Sequence, residues 1–188
     1  VAIYIIEHLE PSVWKWCLIE YQHISNIVGK ENLWITNLKH GCKALEPYAK
    51  LFKESVRSMS LIKKCVLDME TDKELTPAEA ASFNYFIFGG ILGDDPPKFR
   101  TKKELTQFIG DAAVRHIGPK QMSTDNAVFT VHAIEHGKRL SDLQFQDGID
   151  IPLREGEDME MPYRYNVVDG KPLVSPALIA YLKRRKEF

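Results

Sequence analysis

The chain has few cysteines, no long apolar run and almost no net charge. Cys17, Cys42 and Cys65 form neither a CxxC pair nor a disulfide framework. That excludes the small disulfide-stapled scaffolds and fits buried thiols in a reducing, cytoplasmic setting. No apolar stretch approaches the ~20 residues that a spanning helix needs, so no membrane partner is expected. Residues 1–6 are apolar but are followed at once by Glu7 and His8, with no basic flank or cleavage pattern. They predict a buried strand rather than a signal peptide. A net charge of −1 excludes affinity for nucleic acid through an overall basic surface, although a local patch stays compatible with it. Repeats, low-complexity tracts and linkers are missing too, so residues 1–188 are expected to form one domain.

What is present is a globular composition, 44% hydrophobic and 27% charged. Short apolar runs predict strands over residues 2–6, 33–36, 65–68, 85–88 and 112–114. Helices are predicted from Pro11 to Val28, closed by Gly29, over 44–55 and 102–108, and from Thr124 to His136, closed by Gly137. Thr76-Pro77-Ala78-Glu79 carries the cap, first-turn proline and third-position glutamate of another helix start. Strands alternating with helices predict an α/β fold, a mostly parallel sheet with helices on both faces. After Gly137 the pattern changes. A short strand and turn is expected over 143–152 and an acidic loop from Glu155 to Glu160. A last helix opens at Ser175 or Pro176 and ends in Lys183-Arg184-Arg185-Lys186, where positive charge suits the helix dipole.

Two loops stand out. Phe88-Gly89-Gly90-Ile91-Leu92-Gly93-Asp94-Asp95-Pro96-Pro97 leaves one apolar run, and Arg115-His116-Ile117-Gly118-Pro119-Lys120-Gln121-Met122-Ser123-Thr124-Asp125 leaves another. Glycine permits close backbone approach, and in open α/β sheets ligands bind beyond the carboxyl ends of the strands. The backbone of these loops is therefore expected to grip a small ligand, and Gly90→Val to block that ligand while sparing the fold. The first loop is no dinucleotide fingerprint, since prolines stand where the phosphate-binding helix should open, and it lacks the Lys-Ser or Lys-Thr of a P-loop. His132 and His136 lie four apart beside Glu135, but not in zinc-protease order and with no further ligand evident, so no metal is expected. Ser123, Asp125 and the histidines have no nucleophile-elbow context. Three carboxylates suit a cation such as an ammonium, sulfonium or guanidinium: Glu7 ending the first strand, Asp94 in the glycine loop, and Glu160 before Met161-Pro162-Tyr163-Arg164-Tyr165. For each of them the alternative is a solvated charge.

Ile5-Ile6-Glu7-His8, the run from Phe88 to Asp94, the run from Gly118 to Asp125, and that from Glu160 to Tyr165 occur in this order in one family of SPOUT-class methyltransferases. The chain resembles that family from Ile3 to at least Tyr165; residues 39–64 carry no matching motif. The family's characterised fungal member is a protein arginine methyltransferase acting on a small-subunit ribosomal protein. Asp95, Ile117 and Pro119 stand where relatives can carry histidine, leucine and aspartate. The resemblance implies a C-terminal trefoil knot, a rare exception to unthreaded topology, and S-adenosylmethionine held by backbone groups of three loops. On this chain those loops would supply Leu67 and Asp68; Gly89, Gly90, Ile91, Leu92 and Gly93; and Arg115, Ile117, Gly118, Lys120, Gln121, Met122 and Ser123. It also implies methyl transfer to an arginine of a basic protein, with Asp94, Glu7 and Glu160 as the acidic receptor. Arg164 would brace that receptor or the cofactor carboxylate, and a monomer is favoured over a homodimer. One alternative is an RNA methyltransferase acting on ribosomal or transfer RNA, which the acidic motifs disfavour. Another is a non-catalytic ribosome-assembly module, which the cofactor loops disfavour.

Overall fold

The computed structural model describes residues 1–154 and 156–184. Strands β1 (Ile3–His8), β2 (Leu33–Thr36), β3 (Lys50–Leu51), β4 (Lys64–Leu67), β5 (Tyr85–Gly90) and β6 (Ala113–Arg115) form one sheet in the order β3-β2-β1-β5-β4-β6. Every pairing in it is parallel. The helices are α1 (Lys15–Val28), α2 (Pro77–Ala80), α3 (Arg100–Glu104) and α4 (Thr124–Glu135). The inner strands are apolar on both faces, as a sheet covered twice requires. Alternation along each strand divides their side chains. Tyr4, Ile6, Cys65, Leu67, Phe86 and Phe88 enter the larger core with α1 and α4. Ile5, Val66 and Ile87 enter a smaller core on the opposite face with Val56 and Leu105.

Local signals set most boundaries. Gly29 ends α1 at φ 86°, its N–H donating to Ser25 O at 2.9 Å. Thr76 caps α2, its hydroxyl accepting from Glu79 N–H. The helix expected over 44–55 does not form. A single 3-10 turn, Lys43–Leu45, is followed by β3, whose Lys50 and Leu51 pair with Trp34 and Ile35. Leu45 and Ala49, four apart, fit one helical turn and are buried. Pro47 has no N–H to continue a helix, and the open edge of β2 offers sheet partners instead.

The C-terminal part is more extended than its sequence suggested. β7 (Phe145–Arg154) and β8 (Glu157–Val168) form a long antiparallel hairpin, joined by β9 (Lys171–Pro172). The acidic segment expected as a loop is strand from Glu157 onward, because Met159 and Met161 alternate with Asp158 and Glu160 and only the methionines turn inward. Glu155, and Arg185 and Lys186 of the basic run, lie outside the described residues. Ile151, Met161 and Tyr165 pack with Leu182 of α5 (Pro176–Arg184) and with Trp16 of α1. A buried amide pair fixes the hairpin to α4: Asn166 N–H donates to Asn126 Oδ1 at 2.8 Å and Thr130 Oγ1 to Asn166 Oδ1 at 3.1 Å. No helix among the described residues is long and apolar enough to cross a membrane.

Candidate active site

The chain segments leaving β4, β5 and β6 line one cavity at the carboxyl edge of the sheet. Leu67 and Asp68 come from the first, Gly89, Ile91, Leu92, Gly93 and Asp94 from the second, and Ile117, Gly118, Lys120, Gln121 and Met122 from the third. Sequence reasoning missed Phe99, Thr101 and Ala127, which also line it and carry no motif. Gly118 sits at φ 108°, a conformation that favours glycine. At Gly89 a Cβ would stand 3.1 Å from Ile91 Cδ1.

Hydrogen bonds tie the loops together. The Gln121 amide donates to Asp94 O at 2.9 Å, and Leu92 N–H donates to Glu10 Oε1 at 3.0 Å. Glu10, also paired with Arg100 at 3.0 Å, is a second residue the sequence did not flag. Asp68 lines the cavity, but its carboxylate accepts from Thr106 Oγ1 at 2.6 Å and Glu70 N–H at 2.9 Å, so it shapes the loop. Asp94 is half-buried and pairs with Lys98 at 2.9 Å.

Other expected residues are not brought to this cavity, for reasons of strand parity. Glu7 shares the face of Ile5, opposite α1 and α4. It is fully buried and accepts from Thr36 Oγ1 at 2.5 Å, Ser55 Oγ and Val56 N–H at 2.9 Å. It is a structural carboxylate there, remote from Asp94 in its contacts. Glu160 is on the exposed face of β8, opposite Asp150. Gly90 faces α1: a Cβ would stand 2.7 Å from Tyr21 Oη and 2.9 Å from Glu7 O, so its glycine serves packing and does not line the cavity. Arg115 turns away to Glu79 at 2.6 Å, and only its carbonyl joins the loops, accepting from Asp68 N–H at 3.0 Å. Arg164 pairs with none of the three expected carboxylates. It forks onto Asp147, Nε to Oδ1 at 2.7 Å and Nη2 to Oδ2 at 3.1 Å, and with Lys120 holds that carboxyl well below its usual range.

Ser123 lines a second cavity, of about 220 Å³, between α1, β8 and α5. Ile91, Leu92 and Gly93 form a wall common to both cavities. Trp16, Tyr163 and Tyr165 surround the second, with Glu20 and Asp125 at its polar side. Both carboxylates are buried. Glu20 Oε1 accepts from Thr124 N–H at 2.6 Å and Asp125 N–H at 3.3 Å, at the start of α4. Asp125 Oδ2 is 2.7 Å from His23 Nδ1, and Oδ1 accepts from Ser123 Oγ at 2.6 Å. Burial, with Asp125 adding repulsion, pushes the Glu20 carboxyl up to about 8. The Tyr165 hydroxyl is buried with no partner among the described residues.

His132, Glu135 and His136 bring potential ligand atoms within 4.8 Å of one another, so a third group does accompany the two histidines. Glu135 is already engaged, by the Tyr4 hydroxyl and by Ala2 N–H at 2.7 Å, and none of the three lines either cavity.

Known proteins share this architecture. A family model described as "Protein arginine N-methyltransferase SFM1-like" matches residues 3–187. The chain belongs to the SFM1-like family of protein arginine N-methyltransferases. It is 34% identical over 201 aligned residues to protein arginine N-methyltransferase SFM1 of Saccharomyces cerevisiae, covering 96% of this chain and 94% of that one. The crystal structure of yeast SFM1 complexed with SAM superposes with a TM-score of 0.89 at 31% identity, covering 98% of this chain and 91% of that one. The SAH complex gives 0.88 at 32% identity, over 96% and 94% of the two chains. Trm10 from Thermococcus kodakaraensis, at 15% identity over 76% of this chain and 96% of that one, gives a TM-score of 0.54 and shares the fold alone. The SFM1-like architecture thus places the mostly parallel sheet of this chain within the SPOUT class.

Proposed function

We propose that this chain binds S-adenosylmethionine in the first cavity and transfers its methyl group to an arginine side chain of a basic protein. The carrying observation is that the three loops leaving β4, β5 and β6 converge on one cavity whose walls combine apolar side chains and peptide groups with the charged side chains of Asp94, Lys98, Arg100 and Lys120. That donor set fits a cofactor with a flat apolar ring and many acceptor atoms. Gly118 and Gly89 keep side chains out of the walls where the ligand must approach the backbone. When bound, the cofactor supplies a methyl on a positively charged sulfur. The chain's own part is to orient the acceptor and keep water out. Of the three carboxylates in the family motifs, only Asp94 lines this cavity, and we retain it as a rim carboxylate that attracts a cation.

Protein is favoured over RNA because the chain belongs to a family of protein arginine N-methyltransferases and its net charge of −1 offers no overall basic surface to a phosphate backbone. A small-subunit ribosomal protein as acceptor and a cytoplasmic site of action rest on the family resemblance and the free cysteines. A trefoil knot is supported by the segment after β6 running beside residues 73–75: His116 N–H donates to Lys73 O at 2.8 Å and Leu75 N–H to His116 O at 3.0 Å. The test is calorimetry with S-adenosylhomocysteine, using Met122→Trp to fill the first cavity. Saturable binding by the wild type that this variant loses is expected. Undiminished binding by a folded Met122→Trp protein would place the cofactor elsewhere.

A further inference from the structure

We infer that His132, Glu135 and His136 form a zinc site at the carboxyl end of α4, where a bound ion ties that end of the helix to the start of β1. The site is independent of the methyltransferase reading, since none of the three residues lines either cavity. Helix α4 opens on the third cofactor loop, and about 18 Å of helix then separates Thr124 from His136.

Spacing and placement come first. Residues three and four apart share one face of a helix, so His132, Glu135 and His136 lie together. Each brings a potential ligand atom within 4.8 Å of the other two. Tetrahedral zinc with Zn–N bonds of about 2.0 Å sets neighbouring donors about 3.3 Å apart. His136 is exposed just past the end of the helix, where a small movement of its side chain closes the difference. The third ligand that the histidine spacing did not reveal is Glu135.

The stronger observation is how the two rings are held. His136 Nδ1 is 2.7 Å from His132 O. A carbonyl only accepts, so this Nδ1 carries the proton and Nε2 keeps a lone pair. His132 Nδ1 is 3.2 Å from Tyr4 Oη, and the Tyr4 hydroxyl spends its one proton on Glu135 Oε2. His132 Nδ1 is therefore the donor to Tyr4, which again leaves Nε2 with a lone pair. Among the described residues neither Nε2 has a hydrogen-bond partner. Metal-binding histidines are held in this way, with the other ring N–H donated to an acceptor that fixes tautomer and orientation.

Glu135 is oriented by the same surroundings. Tyr4 donates to its Oε2 and Ala2 N–H to its Oε1 at 2.7 Å. A carboxylate has about four lone-pair sites, so it can still ligate an ion. Tyr4 is fully buried, which anchors the supporting hydroxyl in the core. Two imidazoles and a carboxylate are a donor set of zinc, whereas calcium and magnesium take oxygen ligands. Because Ala2 and Tyr4 belong to the start of the first strand, an ion held by these three side chains links that strand to α4.

The experiment is calorimetric titration of Zn²⁺ alone into the untagged chain after its metal has been removed with a chelator. The wild type is expected to bind one ion per chain. His136→Ala removes an exposed ligand and leaves the core untouched, and should lose at least about 100-fold in Zn²⁺ affinity; Tyr4→Phe, which takes away the hydroxyl behind His132 and Glu135, should lose about 10-fold. Co²⁺ in place of Zn²⁺ should give the visible bands of a four-coordinate ion, absent from His136→Ala. Zn²⁺ should raise the thermal midpoint of the wild type and not that of His136→Ala. S-adenosylhomocysteine affinity should be equal in the two proteins, with or without Zn²⁺, so failure of this site and failure of the cofactor reading are separate results. A wild type that binds no Zn²⁺ overturns the site. So does wild-type affinity in His136→Ala and Glu135→Gln, which would move the ion to thiols or other histidines. If Glu135→Gln fails to fold, His136→Ala alone decides.

Discussion

The ring of Tyr163 lies where any side chain at position 93 would have to stand. A Cβ on Gly93 would be 2.6 Å from Tyr163 Cε1, while the Tyr163 hydroxyl donates to Gly93 O at 3.0 Å. This contact ties the hairpin to the glycine loop on the wall common to the two cavities. Gly93→Ala is therefore expected to expel Tyr163 and misalign the cavities, costing about 100-fold in methyl transfer, the scale of a 1 Å misplacement. Tyr163→Phe removes one hydrogen bond, worth about 1 kcal/mol, and should cost far less. Initial rates of methylarginine formation for the two variants check this; equal rates for Gly93→Ala and wild type contradict it.

Gly90→Val should act on the fold rather than on the ligand, since its Cβ would meet Tyr21 Oη, Glu7 O and Ile6 Cγ2, all within 2.9 Å. Overpacking of this kind costs about 1–3 kcal/mol or more. Thermal denaturation should show a lowered midpoint even without cofactor. A normal midpoint with lost cofactor affinity would restore Gly90 to the binding surface.

Glu7→Ala should likewise report on stability. Removing the carboxylate strands the Thr36 and Ser55 hydroxyls and Val56 N–H, a loss of about 3 kcal/mol when each stranded group costs about 1. Denaturant unfolding measures it. A stable Glu7→Ala protein with abolished methyl transfer would instead return Glu7 to the acidic receptor.

The sheet was legible in the sequence because β1, β2, β4 and β5 are short apolar runs bounded by polar residues, and the cavity was legible because it lies where those runs end. Three features were hidden. Lys50 and Leu51 become strand only because β2 has an open edge. Which face a residue takes depends on parity within a strand, and one step along β1 or β8 removes Glu7 and Glu160 from the cavity. Glu20 and Asp125 meet through the packing of α1 against α4, over a separation in sequence that no local motif records.

The raised Glu20 carboxyl also sets a pH dependence. Its folded value of about 8 exceeds its ordinary 4.5, so folding favours the protonated form. The stabilisation is complete below about 4.5, is lost as pH rises towards 8, and is constant above. Glu20→Gln removes this loss, so the variant should gain thermal stability relative to the wild type as pH is raised across that window. A difference in midpoint that does not change with pH contradicts the assignment.

The central claim, methyl transfer to protein arginine, is tested most directly by where the methyl group goes. Intact ribosomal subunits are incubated with the enzyme and S-adenosylmethionine labelled in the methyl group, then split into RNA and protein. The account predicts label that survives nuclease, migrates with protein and is recovered as methylarginine after hydrolysis. Label confined to nuclease-sensitive RNA, with none in protein, would contradict it.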